Sequence, residues 1–193
     1  MTYKTQIAVS ACLLGQKVRY DGKEKKHLLI MDFFLNRYSD RVDIVPFCPE
    51  VAIGLGVPRT KIQLINYRYE QKDEQIRLVG VEDHTLDVTY ELQLYTEKFL
   101  LQYPDIKYYI VKSKSPSCGY QSTPLFIAQF ISPADAENDS LLKKQDVYEY
   151  AELTSGLFVQ TLQALKPEIV IIEETQLDSE QACLRFFQQA QTG

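Results

Sequence analysis

No stretch of the chain approaches the ~18 consecutive apolar residues of a membrane-crossing helix, so none is expected. Neither a GxGxxG after a first strand nor a GxxxxGK(S/T) occurs, which leaves nucleotide-phosphate cradles unsupported. Cysteines never form the CxxC pairs common in structural zinc sites. Histidine is scarce, with only His27 and His84, and no spacing demands a Cys–His hydrolase. Basic residues are the minority: 21 Lys and Arg stand against 26 Asp and Glu, for a net charge of -5. That balance argues against a general nucleic-acid binder. No internal repeat, linker or low-complexity tract divides the chain.

What is present is ordinary for a soluble fold: 193 residues, 45% hydrophobic and 24% charged. One α/β domain over 1–193 with a substantial core is expected. VSAC (Val9 to Cys12) imitates a lipoprotein cleavage site, but the apolar run before it is too short for a signal core and Lys4 lies close by. A cytoplasmic protein is expected. One basic stretch, Lys17 to Lys26, reads either as a solvated loop or as an anion-contacting loop beside Cys12.

Four apolar runs have the length and β-branched content of buried strands: TQIAVSA (Thr5 to Ala11), VDIVPFC (Val42 to Cys48), IKYYIVK before Ser113, and EIVIIEE (Glu168 to Glu174). Between them lie helical patterns. His27 to Tyr38 carries an apolar stripe. Val88, Leu92, Tyr95, Phe99 and Tyr103 line one face of a helix closed by Pro104. A further helix is expected over AELTSGLFVQTLQALKP, ending at Pro167, and another around Cys183. KIQLINYRYE and QIRLVGV suggest a hairpin, and PLFIAQF one more strand. Buried strands alternating with amphipathic helices predict a three-layer, Rossmann-like α/β fold with a mostly parallel central sheet.

Cys12, Cys48 and Cys118 each follow one of the buried strands. If those strands share a parallel sheet, all three thiols emerge on its carboxyl edge, where open α/β sheets place ligands. Cys183 differs, since it shares a helical stripe with Phe186, Phe187 and Ala190 and reads as core. In a cytosolic protein, metal binding or catalysis is the expected use of such thiols. Three thiolates hold a metal or cluster with one position left open. A zinc site would need a fourth ligand from His27 or His84, and a 4Fe-4S cluster normally takes four cysteines. Composition alone leaves iron and zinc both open. Glu50, two residues from Cys48, is placed to act as a general base for water. Lys112 and Lys114 add positive charge that favours thiolate near Cys118.

VSACLLGxxVRYDG (Val9 to Gly22), PFCPEVxxGLGVPR (Pro46 to Arg59) and KSKSPSCG (Lys112 to Gly119) together resemble the thiouracil desulfidase (TudS) family of bacteria. DVTYEL at Asp87 and the TSGLFVQTL stretch also fit. The resemblance implies a Rossmann-like domain with a 4Fe-4S cluster on Cys12, Cys48 and Cys118. It further implies removal of sulfur from 2-thiouracil, giving uracil and sulfide without net redox change, with the free iron binding the thiocarbonyl sulfur and Glu50 deprotonating water. Ser115 is the first expectation for hydrogen-bonding the pyrimidine or relaying a proton, and Ser117 the second. Ser10 and Arg59 are further expected substrate contacts. The expected partner is a small thiolated pyrimidine, with no stable nucleic-acid binding and no membrane association. Two other classes compete: a cluster-dependent tRNA thiolase or sulfur carrier, and a non-enzymatic zinc- or cluster-binding regulator sealed by four ligands.

Overall fold

The computed structural model describes residues 4–68, 74–129 and 148–192. At its centre lies β1 (Thr5–Ser10), flanked in parallel by β2 (Val42–Phe47) and β5 (Tyr108–Val111), with β8 (Val170–Glu173) beyond β5. The order is β2-β1-β5-β8, and all three pairings are parallel. Successive side chains on these strands face opposite sides of the sheet, as a period of two requires. Ile7, Val9, Tyr108 and Ile110 pack on one side against Phe33, Phe34, Cys183, Phe186 and Phe187. Ala8, Tyr109 and Val111 pack on the other against Leu92, Phe99, Phe158 and Leu162.

The first face is covered by α1 (Leu28–Ile30), continued by a π-helical stretch Met31–Arg37, and by α5 (Glu180–Thr192). A short helix α2 (Pro49–Ala52) follows Cys48, and the second face is covered by α3 (Thr89–Gln102) and α4 (Leu157–Leu165). This is the expected three-layer α/β arrangement with a parallel central sheet. Cys183 is fully buried in the first of these cores, as its helical stripe predicts.

A second sheet, order β4-β3-β6-β7, was read only in part from the sequence. β3 (Ile62–Arg68) and β4 (Gln75–Gly80) form the expected antiparallel hairpin, and β6 (Thr123–Gln129) joins β3 in parallel. Tyr69, Glu70 and Phe130, which the sequence reading included, lie outside the described residues. β7 (Tyr148–Thr154) is antiparallel to β6 and mostly exposed. Its Ala151–Thr154 segment corrects the sequence reading, which ran a helix back through these residues. Ala, Glu and Leu suit a helix, but pairing with β6 overrides that propensity, and α4 begins only after Gly156. Leu64, Leu78 and Leu125 of this sheet enter the same hydrophobic cluster as Ala8, Val45 and Tyr109, which joins the two sheets.

Candidate functional site

Each strand of the central sheet delivers polar or sulfur groups to one edge. Ser10 ends β1 and pairs in register with Phe47, which ends β2; Cys48 follows Phe47 directly and Cys12 lies two residues past Ser10. Val111 ends β5 opposite Glu173, and the loop from Lys112 leads to Cys118. All three cysteines are free thiols and line one cavity of about 470 Å³. Glu50, Arg59, Ser10, Ser115, Lys112 and Lys114 share its wall. So do Val18, Arg19, Tyr20 and Lys25, which brings part of the basic stretch to the same cavity as the thiols.

Local backbone chemistry fixes the Cys118 loop. The N–H groups of Leu157 and Phe158, which open α4 and have no intrahelical acceptor, donate to Pro116 and Ser117 carbonyls at 3.0 and 2.9 Å. Gly156 makes this contact possible: a Cβ there would stand 2.5 Å from the Ser117 carbonyl carbon and oxygen. Gly119 meets a similar limit, 2.4 Å from Thr123 Oγ1. The TSGLF motif therefore serves the cysteine loop directly.

The thiols are strongly perturbed. Burial pushes Cys12 up to about 12, helped by the neighbouring Cys118 and Cys48 and opposed by Arg19. Burial likewise raises Cys118 to about 11, against hydrogen bonds from Ser10 and Ser115. Cys48 is also raised by burial, against the N–H groups of Val51 and Glu50. Cys118 and Cys48 both raise Cys12, and Cys48 raises Cys118, as neighbouring thiols in one site do. Metal ligation would have to displace these protons.

Among the described residues, no three His, Cys, Asp or Glu side chains converge on one point that a single ion could fill. Neither histidine lines the cavity: His27 Nδ1 accepts the Ile30 N–H at the start of α1, and His84 is buried against Tyr148. A cluster, which can place each thiolate on a different iron, fits a set of three soft donors spaced around a cavity.

The other expected residues separate by role. Glu50 is engaged on both oxygens. Arg59 Nε donates to Oε2 at 2.8 Å, with Nη2 in an ion pair 2.8 Å from the same oxygen, and Ser117 Oγ donates to Oε1 at 2.9 Å. The Arg59 and Glu50 side chains are 5% and 13% exposed, so this is a largely buried pair. Arg59 also donates to the Gly56 carbonyl, so its guanidinium is an ion-pair partner here. Ser117 is fully buried and absent from the cavity wall; its hydroxyl reaches the cavity only through Glu50. Ser115 is on the wall, its Oγ accepting the Cys118 N–H at 3.2 Å. Ser10 is 2% exposed, with its oxygen held between the Lys112 N–H and the Cys118 sulfur.

Two residues of the site edge escaped the sequence reading. Glu174 accepts hydrogen bonds from Lys112 Nζ, Ser113 N and Ser113 Oγ. Burial pushes its carboxyl up, but the hydrogen bonds from Lys112 and Ser113 outweigh that and hold it below the usual carboxylate range. Glu173 accepts from Tyr120 N and Ser122 Oγ. The available signal was a pair of carboxylates ending an otherwise apolar strand on the edge already assigned to the cysteines. Lys112 is thereby engaged by Glu174, and its charge lowers Cys12 only against the larger effect of burial.

Comparison with known proteins adds an independent line. A family model described as 2-thiouracil desulfurase matches residues 7–174. A solved structure described as a 4Fe-4S-dependent thiouracil desulfidase, TudS, is similar at 27% identity and a TM-score of 0.54, covering 94% of this chain and 99% of that one. No curated protein matches.

Proposed function

Because the chain belongs to the 2-thiouracil desulfurase family, we propose that it removes sulfur from 2-thiouracil or a related thiolated pyrimidine, giving uracil and sulfide without net redox change. The observation that carries this reading is the single cavity shared by three free cysteines and Glu50. Cys12, Cys48 and Cys118 would hold a 4Fe-4S cluster, and the solved relative's dependence on one supports that assignment. Such a cluster would supply a Lewis acid for the thiocarbonyl sulfur.

The remaining work falls to the chain's own side chains. Glu50 takes a proton from water as the water oxygen bonds to the C=S carbon. The new hydroxyl then gives its proton to sulfur as the C–S bond breaks, so that sulfur leaves with its electron pair as hydrosulfide, C=O forms, and Glu50 returns its proton to solvent. Arg59 and Ser117 hold the carboxylate in one orientation, so that it meets the water without a prior search. Ser115, on the cavity wall, hydrogen-bonds the pyrimidine. We place this enzyme in the cytoplasm, acting on a small molecule; no helix among the described residues is long and apolar enough to cross a membrane.

The test is turnover of 2-thiouracil by anaerobically reconstituted protein without added reductant, with uracil and sulfide measured together. Equimolar products are expected, and Glu50→Gln should lower kcat about 10²- to 10⁴-fold while keeping its iron. A requirement for reductant, or full activity in Glu50→Gln, would overturn the mechanism.

A further inference from the structure

We propose that Ser10 is a positioning residue whose hydroxyl donates a hydrogen bond to the Cys118 sulfur whenever that sulfur is a metal ligand. The inference rests on the reading of Cys118 as a cluster ligand.

The sheet itself sets the geometry. β1 and β5 pair in parallel with Val9 opposite Ile110, which brings the end of β1 alongside the residue that follows β5. The Lys112 N–H, just past the β5 ladder, donates to Ser10 Oγ at 3.0 Å. That backbone donor anchors the hydroxyl oxygen and leaves its hydrogen free for a second partner. Cys118 Sγ stands 3.4 Å away, and both side chains are buried, at 2% and 6% exposure.

In the metal-free thiol either atom can donate. Ligation removes the sulfur's proton, so the thiolate can only accept and the direction of the bond is set. The three cysteines are not equivalent in this respect. Cys48 is faced by the N–H groups of Val51 and Glu50, and Cys12 by the charges of Arg19 and Lys112. Cys118 has hydroxyls, from Ser10 and from Ser115. A hydrogen bond onto a ligating sulfur draws charge from it, which raises the cluster potential and holds the ligand in place. Ser10 therefore acts on the reaction through Cys118 and not by touching the pyrimidine.

The experiment compares wild type, Ser10→Ala and Ser10→Thr after anaerobic reconstitution. Reduction potential, iron release to a chelator and pulsed EPR of the reduced cluster in deuterated buffer are the readouts. Ser10→Ala should show a more negative potential, iron release about 10- to 100-fold faster, and loss of one exchangeable deuteron coupling. Ser10→Thr, which keeps the hydroxyl, should restore all three. If Ser10→Ala holds no cluster at all, retention in Ser10→Thr supports the role and loss in both overturns it. An Ser10→Ala protein with unchanged potential and coupling overturns this inference alone. A wild type that assembles no cluster overturns it together with the functional reading above.

Discussion

Glu174 shows how a single buried carboxylate organises the cysteine loop. It gathers Lys112 and Ser113 just where the chain leaves β5 for Cys118. Its carboxyl is depressed in the folded protein, so its contribution to stability is present above the usual carboxylate range and is lost as pH falls through its folded value. Glu174→Gln should therefore be destabilised near neutral pH, and the gap to wild type should close on acidification in denaturant melts; a gap independent of pH would refute the assignment. Arg59→Ala leaves Glu50 buried without its cation and should cost about 3–5 kcal/mol by the same melts. The cysteines, Glu50 and the hydroxyls were legible in the sequence because each sits in a short motif at a strand end. Which hydroxyl meets which partner was not, because Ser117 and Arg59 reach Glu50 through the fold, across 67 and 9 residues.

Among the elements, α4 matters most to the site, because its first two free N–H groups hold the Pro116 and Ser117 carbonyls. Gly156→Ala would drive a methyl group into backbone that cannot rotate away. A loss of about 1–3 kcal/mol is expected, with weakened iron retention in the same variant. Unaltered stability and iron content would show that the close approach is not required. The parallel strands were readable because they appear as largely apolar runs, β1 and β5 being buried on both faces over most of their length. β7 was not, since an exposed edge strand carries no such run and its residues suit a helix equally well. The wide turns of Met31–Arg37 left no sequence signal distinct from an ordinary helix.

Across the whole molecule, one hydrophobic cluster unites the central and smaller sheets, so the two should unfold together. Leu64→Ala, in the smaller sheet, should cost about 2–5 kcal/mol and move tyrosine fluorescence and far-ultraviolet dichroism in a single transition. Two separated transitions would mean independent units. At the opposite end of the central sheet's strands from their starts, the fold collects three thiols from distant parts of the chain around one cavity. The most direct test of that convergence is iron counted per chain after anaerobic reconstitution of wild type and the single Cys→Ala variants. Four irons in wild type and in Cys183→Ala, with loss in Cys12→Ala, Cys48→Ala and Cys118→Ala, is the predicted result. Zinc in place of iron, or equal loading in all the variants, would contradict it.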